Sequence, residues 1–485
     1  MSERMLRNRT LRLGASGGSS GSSSVTREID VVVIGAGAVG ENVADYAHRA
    51  GLSTTLVESE LVGGECSYWA CMPSKALLRT ADAVVAARRL PGVTAEFDVE
   101  AVLKRRDAIV HGWDDASQVD WAEGAGIPVV RGRARLAGER LVEVGGEVLR
   151  ARHAVVVATG SRPVRPPVPG LDSVRTWTSR DATSAHAVPR RLGVLGGGVV
   201  GCELAQAWRR LGSEVVLLVR GPRLLPSAEP VAQELVAAAL RREGVDVRLG
   251  TGLDAVAADG DAIALHVGSQ TLVVDELLVA TGRRPNVDDL GLETVGLDGP
   301  LSVDDTGLVQ GVDGEWLYAA GDVTGRAPLT HQGKYDARIV GAAIGARAAG
   351  GPVDTAPWGE HVATADHAAV PQVVFTDPEV ASVGLTEAQA RDAGLRIRVV
   401  DLPIAVAGST IIADNYDGAV RMVVDDDRGV IVGLTFVGQD TAELLHAATI
   451  AVVGEVPLAR LWHAVPAYPT MSEVWLRLLE AYRAG

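Results

Sequence analysis

The sequence is poor in cysteine: its 485 residues hold only Cys66, Cys71 and Cys202. A secreted scaffold stapled by disulfides would spread an even set along the chain, so that class is excluded and a cytoplasmic protein is expected. Also missing is any uninterrupted apolar run of about 18 residues, the length a membrane-crossing helix needs. Positive charge is in deficit. The chain has 46 basic and 61 acidic residues, a formal net charge of −15. That field repels phosphate backbones and anionic lipid, so neither nucleic acid nor membrane is expected as a partner. What is present has the composition of a globular protein, long enough for roughly two to four domains.

Residues 1–27 read as a tail. Arg4, Arg7, Arg9 and Arg12 fall within the first 13 residues, and Gly14 to Ser24 is entirely Gly, Ala and Ser. This suits a disordered extension with a flexible linker. An organelle transit peptide has the same Arg and Ser bias.

From Ile29 the chain becomes periodic. Ile29 to Ile34 is a β-branched run ending in glycines, the mark of a buried parallel strand. Ala38 to Ala50 has helical spacing, and Thr54 to Val57 is a second strand ending in Glu58. The turn is Gly35-Ala36-Gly37-Ala38-Val39-Gly40. Gly35 permits a tight turn, Gly37 lets a pyrophosphate reach the backbone, and Gly40 lets helix and strand pack closely. The helix N-terminus offers amides and a positive dipole end to phosphates, and the Glu58 carboxylate accepts bonds from ribose hydroxyls.

The pattern returns at Leu192. A strand leads into Gly196-Gly197-Gly198-Val199-Val200-Gly201, a helix to Leu211, and a strand over Val215 to Val219. Two such units predict two bound nucleotides. In the second, the position matching Glu58 is Val219, followed by Arg220 and then Arg223. A carboxylate there would repel a 2′-phosphate; its absence, with two arginines adjacent, predicts NADPH rather than NADH. Val155 to Arg162 and Leu277 to Arg284 share a strand-and-Gly texture and predict crossings between the two units. Beyond about Val370, short strands (Gln372 to Phe375, Ala419 to Val424, Val430 to Val437) alternate with helices (Thr386 to Ala393, Thr441 to Val453), which predicts an α+β domain.

The cysteine pair lies in Gly63-Gly64-Glu65-Cys66-Ser67-Tyr68-Trp69-Ala70-Cys71-Met72-Pro73-Ser74-Lys75. Pro73 suits a first helical turn, so Cys71 falls near a helix N-terminus, where the dipole favours a thiolate, and Lys75 adds positive charge one turn on. No second cysteine or histidine cluster has ligand spacing, so no metal site is expected. Cys202 reads as a packed small residue.

This segment resembles the GGTCxxxGCxPSK pattern of the class I pyridine nucleotide–disulfide oxidoreductases. That family includes dihydrolipoamide dehydrogenase, glutathione reductase and mercuric reductase. The resemblance runs over about residues 28–480. It continues through Ala158-Thr159-Gly160, Gly282-Arg283-Arg284-Pro285-Asn286, Ala319-Ala320-Gly321-Asp322, Phe375-Thr376-Asp377-Pro378-Glu379 and Val383-Gly384-Leu385-Thr386-Glu387.

The resemblance implies an α/β fold with two Rossmann-like nucleotide-binding domains and a C-terminal α+β dimerisation domain. It assigns 28–170 and 288–365 to FAD, 171–287 to NAD(P) and 366–485 to homodimer formation. Asp322 is implied to hold the flavin ribityl chain, with Leu329, Thr330 and His331 along the flavin and Gly64, Thr159 and Gly160 in the same cradle. Gly282 joins the second nucleotide site. Lys75 is implied to lie near the flavin and pair with Glu203, Cys71 to be the flavin-facing thiolate, and Cys66 the interchange thiol.

One departure stands out. Most members carry His-Pro-Thr-x-x-Glu near the C-terminus, and none of the ten histidines here precedes a proline. The matching stretch is Tyr468-Pro469-Thr470-Met471-Ser472-Glu473. An unperturbed tyrosine has a pKa of about 10, so Tyr468 is a poor base at neutral pH although it can donate a proton. Mercuric reductases also carry tyrosine there, but with a vicinal cysteine pair that the ending Ala481-Tyr482-Arg483-Ala484-Gly485 lacks. Tyr68 and Trp69 are bulkier than usual for the family; they either reshape the disulfide side of the site or simply pack.

The expectation is a homodimeric enzyme that passes hydride from NADPH through FAD to the Cys66–Cys71 disulfide and on to a small-molecule acceptor. Three alternatives stand beside it: a quinone or other electron-acceptor reductase, a mercuric-reductase-like enzyme, and a non-catalytic subunit of a 2-oxoacid dehydrogenase complex.

Overall fold

A computed structural model describes residues 26–485. The expected tail lies outside the described residues except for Thr26 and Arg27. Those two open the first strand instead, because the facing strand is long enough to pair with them (Thr26 with Val148, Arg27 with Leu149).

The strand Thr26–Ile34 is the centre of a seven-stranded sheet. Val31, Val32 and Val33 are fully buried, as expected of a parallel strand covered on both faces. It pairs in parallel with Thr54–Glu58 on one side and with Glu147–Val157 on the other. Helix α1 (Ala38–Arg49) makes the first crossover. Glu147–Val157 divides its far edge between two partners. Its first half pairs antiparallel with Leu141–Val144, and its last residues take Leu317–Ala319 in parallel. The chain therefore leaves this sheet and later returns to complete it.

Two short helices follow the second strand. Helix α2 (Gly64–Tyr68) carries Cys66, and helix α3 (Cys71–Arg88) begins on the second redox cysteine. Between departure and return lies a parallel four-stranded sheet of Asp246–Leu249, Glu214–Val219, Arg191–Leu195 and Glu276–Val279, in that order. Its crossover is helix α4 (Val199–Arg210). An antiparallel meander (Ala255–Asp259, Ala262–Val267, Gln270–Val274) covers one face of it, packing Leu265 and Val274 on Leu277. Ser161–Pro163 and Arg283–Pro285 run antiparallel as the paired crossing.

Helix α5 (Thr330–Ala348) lies along α1. Glycines make the approach possible. A Cβ on Gly333 would stand 2.5 Å from Val39 Cγ2, and one on Gly341 2.5 Å from Tyr46 Cβ. The C-terminal domain is a five-stranded antiparallel sheet backed by Leu445–Val453 and helix α6 (Glu473–Ala484), with Phe436, Leu445 and Leu478 in its core. Two of its strands, Glu379–Gly384 and Ile397–Pro403, are additional to those anticipated. The fold is α/β with two nucleotide-type parallel units and an α+β end. Among the described residues no helix is long and apolar enough to cross a membrane.

Candidate active site

The first glycine turn is shaped by contact. Gly35 has φ +99°, and a Cβ on it would fall 2.5 Å from Ala158 O; one on Gly40 would strike Gly35 O at 1.8 Å. Gly37 caps α1 without a side chain to bond the amides of the first turn, so those donors are free for an anion. Gly64 lies against Gly37, where a Cβ would come 2.7 Å from the Gly37 Cα. Glu58 is nearly buried and braces the turn, accepting from Ala36 N and Glu60 N, each at 2.7 Å. A narrow glycine cradle, uncapped helix amides and an adjacent carboxylate fit the pyrophosphate and ribose of a dinucleotide.

The far part of that cradle comes from the returning segment. Asp322 Oδ2 accepts from Ser161 Oγ at 2.6 Å, and Ser161 Oγ in turn accepts from Arg283 Nε at 2.8 Å. Thr159 Oγ1 donates to Asn286 O at 2.6 Å, and Asn286 N donates to Gly160 O at 3.0 Å, so the two crossing motifs interlock. Leu329 caps α5, Thr330 opens it, and His331 Nε2 lies 2.7 Å from Pro371 O.

The second glycine turn repeats the first. Gly196 has φ +117°, a Cβ on Gly201 would lie 1.9 Å from Gly196 O, and Gly198 caps α4 with no side chain. In front of it opens a cleft of about 1120 Å³ lined by Gly196, Gly198, Arg220, Arg223 and Gly282. Arg220 and Arg223 are exposed. Arg223 reaches Gln233 Oε1 at 3.5 Å, and the cleft wall holds no acidic side chain among its described lining.

Cys66 and Cys71 stand together as thiols, half-buried, with Cys71 Sγ 3.4 Å from Thr330 Oγ1. The hydrogen bond from Cys66 lowers the Cys71 pKa to about 6 against the opposing effect of burial, helped by Thr330 and the Lys75 charge. Cys66 moves the other way, pushed up by its bond to Cys71 and by burial. The two shifts favour the thiolate at Cys71 and the protonated thiol at Cys66.

Lys75 Nζ pairs with Glu203 Oε2 at 2.7 Å, and Glu203 Oε1 accepts from Phe375 N at 2.9 Å. Glu203 is buried, so α3, α4 and the start of the C-terminal domain meet on one carboxylate. Cys202, its neighbour, is a fully buried core residue whose thiol burial pushes up to about 12. Tyr68 is buried, while Trp69 lies under the Arg180 guanidinium, 4.2 Å from ring centroid to Cζ, and lines a cleft with Trp113 and Trp177. Tyr68 packs; Trp69 shapes a surface.

Tyr468 and Glu473 are not brought to the cysteines within the chain. Tyr468 is 77% exposed, and Glu473 bonds to Arg477 at 2.6 Å. Sequence reasoning passed over Ser161 and Arg283, which bond to each other while Ser161 bonds to Asp322.

A doubly nucleotide-binding fold with a thiol pair at a helix N-terminus defines a flavoprotein disulfide oxidoreductase. The chain belongs to the pyridine nucleotide-disulphide oxidoreductase family, whose model matches residues 29–346; the family's dimerisation domain matches residues 370–479. It is thus an FAD-dependent oxidoreductase that uses a pyridine nucleotide. A dihydrolipoyl dehydrogenase of Thermus scotoductus is 34% identical over 93% of this chain and 97% of its own. A mercuric reductase of Streptomyces lividans is 34% identical over 92% of this chain and 94% of its own. Among solved structures, the HOCl-induced flavoprotein disulfide reductase of Escherichia coli, in a Cu(II) complex, matches with TM-score 0.81 and 26% identity, covering 94% of this chain and 99% of that one.

Proposed function

We propose that this chain is an NADPH-dependent reductase of small disulfides or related acceptors, working as a homodimer through Cys66 and Cys71. The Cys66–Cys71–Thr330 cluster at the N-terminus of α3 carries the reading, because it holds one sulfur as thiolate beside a protonated partner. Gly35, Gly37, Gly40, Gly64, Glu58, Thr159, Gly160 and Asp322 would hold FAD, whose chemistry when bound would be the relay of an electron pair from nicotinamide to disulfide. Leu329, Thr330 and His331 would border it, and Lys75 is fixed by Glu203. Gly196, Gly198, Gly201 and Gly282 would receive the nicotinamide nucleotide, and Arg220 and Arg223 would meet a 2′-phosphate.

The exchange chemistry follows from the sulfurs. Cys66, once deprotonated, attacks an acceptor disulfide and releases one thiolate. Cys71 then attacks Cys66 Sγ, releasing the second thiol and restoring the Cys66–Cys71 bond. The exposed Tyr468, with Glu473 behind it, is offered to the partner subunit's site, where the phenol donates a proton to the departing thiolate.

A second reading is reduction of a soft metal ion held by the two thiolates. The mercuric reductase at 34% identity and the Cu(II) complex of the E. coli protein favour it. A screen of purified holoenzyme with NADPH against small disulfides, quinones, Hg(II) and Cu(II) tests both. Turnover confined to quinones, unchanged in Cys66→Ser, would overturn them together.

A further inference from the structure

Helix α2 is five residues long, too short to hold its shape unaided, yet it sets where Cys66 stands. The ties that fix it come from elsewhere in the chain, and they converge on Glu65. This residue, next to Cys66, occupies the place of the threonine in the family pattern GGTCxxxGCxPSK. Its backbone carbonyl accepts from Trp69 N at 2.8 Å and from Ala70 N at 2.7 Å, closing the loop that joins the two cysteines. Its carboxylate points away from that loop. Oε1 accepts from Arg180 Nε, and Oε2 accepts from Arg283 Nη2 at 3.1 Å.

Arg180 stands on the short helix Ser179–Ser184, ahead of the second glycine-turn unit. It also pairs with Glu60 Oε2 at 2.9 Å, and its guanidinium covers the Trp69 indole, with Cζ 4.2 Å from the ring centroid. A guanidinium carries its donors in one plane and stacks through its face, so one arginine can grip a carboxylate and cover an indole at once. From the same helix, Thr183 Oγ1 donates to Trp69 O at 2.8 Å. Arg283 donates to Ser161 Oγ at 2.8 Å and to Ser161 O at 2.7 Å, and so joins the hydrogen-bond chain that ends on Asp322.

We propose that Glu65 is a positioning residue for the redox pair: gripped by Arg180 and Arg283, it clamps the Cys66–Cys71 loop so that the two sulfurs stay within reach of each other. The inference rests on the reading of that pair as a cycling disulfide. Sulfurs held together present each other with a high effective concentration, which favours the closed disulfide over the open dithiol. Once the clamp is released, the one-turn helix is free to carry Cys66 away, and the disulfide opens more easily. The contribution is geometric, because two carboxylates, Glu60 and Glu65, face two guanidiniums and add little net charge beside the sulfurs.

The test is the exchange equilibrium of the holoenzyme with mixtures of reduced and oxidised dithiothreitol at neutral pH, quenched with iodoacetamide and read at Cys66 and Cys71 by mass spectrometry. In each exchange the protein S–S bond breaks and the ring S–S bond of dithiothreitol forms, while two electrons and two protons pass to the cysteines. Glu65→Thr and Arg180→Met are each expected to shift the equilibrium toward the dithiol by roughly tenfold, which for a two-electron couple is about 30 mV. The double variant should shift no further than the larger single one, because the same clamp is lost in all three. Charge alone would part the two singles: losing Glu65 would favour ionised thiols and losing Arg180 would oppose them. Opposite shifts, additive shifts, or a parent-like equilibrium in either single variant overturn the clamp; lowered thermal stability without a shift does so as well. Glu65 and Arg180 are partly exposed, so both variants are expected to fold. A parallel sample treated with NADPH separates the two ideas. A disulfide opened by dithiothreitol but never by NADPH sinks the relay reading and leaves the clamp to be judged by its own shifts.

Discussion

Tyr468 presents a phenol where thiol oxidation calls for a base, on a side chain 77% exposed in the single chain. General-base catalysis typically contributes about 10² to 10⁴-fold. Dihydrolipoamide oxidation is therefore expected near background, with Tyr468→His raising kcat by about 10²-fold; brisk turnover in the parent enzyme would show that the phenol suffices. The reductive half needs no such base. Because the Cys71 pKa is lowered to about 6, its thiolate persists at neutral pH and is lost as pH falls through that value. The long-wavelength absorption of a thiolate beside oxidised flavin, seen after one equivalent of NADPH, should fade with a midpoint near pH 6 and be missing in Cys71→Ser. At the second nucleotide site, a tenfold preference for NADPH corresponds to about 1.4 kcal/mol. Arg220→Glu should abolish or reverse it; equal kcat/KM for both nucleotides in the parent would refute the role of the arginines.

At the scale of elements, α5 does more than present Thr330. Asp336, on its buried side, accepts from Gly321 N through Oδ2, while Gln332 donates to Asp366 Oδ1 at 2.6 Å. Of the remaining oxygens, Asp336 Oδ1 is buried without a hydrogen-bond partner and Asp366 Oδ2 lies 3.5 Å from Arg326 Nε. Burial and the neighbouring carboxylate raise the Asp336 pKa from 3.8 to about 7. A raised acid contributes stability while protonated and loses it as pH rises through the folded pKa. Thermal stability should thus decline from pH 5 to pH 8. Asp336→Asn, which keeps a donor for Asp366 but cannot ionise, should flatten that decline by roughly 2 °C or more. An identical slope in both proteins would dissociate Asp336 from it.

Elements differed in how far they could be read from sequence. The two glycine turns were legible because their causes are local: a tight turn, a close approach and a buried β-branched strand lie within some 30 residues. The strand Glu379–Gly384 was not. Its Glu, Ala, Ser and Gly have little strand preference, and it is extended because it pairs with Val430–Gly438 far along the chain. The bond from Ser161 to Asp322 was missed for the same reason, since it exists only once the returning segment packs against the first unit.

For the whole molecule, the C-terminal domain is the family's dimerisation domain, and Ile411, Ile450, Val453 and Val465 expose apolar surface on it. Such a surface calls for a covering partner. Ile450→Glu is expected to halve the mass in solution, leave flavin reduction by NADPH intact and lower acceptor turnover at least tenfold. Full turnover by a monomer would show that each chain carries a complete site.

The strand Leu317–Ala319 completes the sheet that Thr26–Ile34 begins, and the entire second nucleotide unit is made between Val157 and Leu317. On a ribosome adding about 5–20 residues per second, the outer sheet waits roughly 8 to 30 seconds for its last parallel strand. The inner unit, whose strands are contiguous, emerges and closes first. Birth order is thus nested: the domain that starts first finishes second, and it holds an open strand edge while its guest folds. Nascent chains in which Gly296 has just cleared the exit tunnel should show a protease-resistant inner unit beside a cleavable outer one, and the outer one should become resistant only once Ala319 has cleared it too.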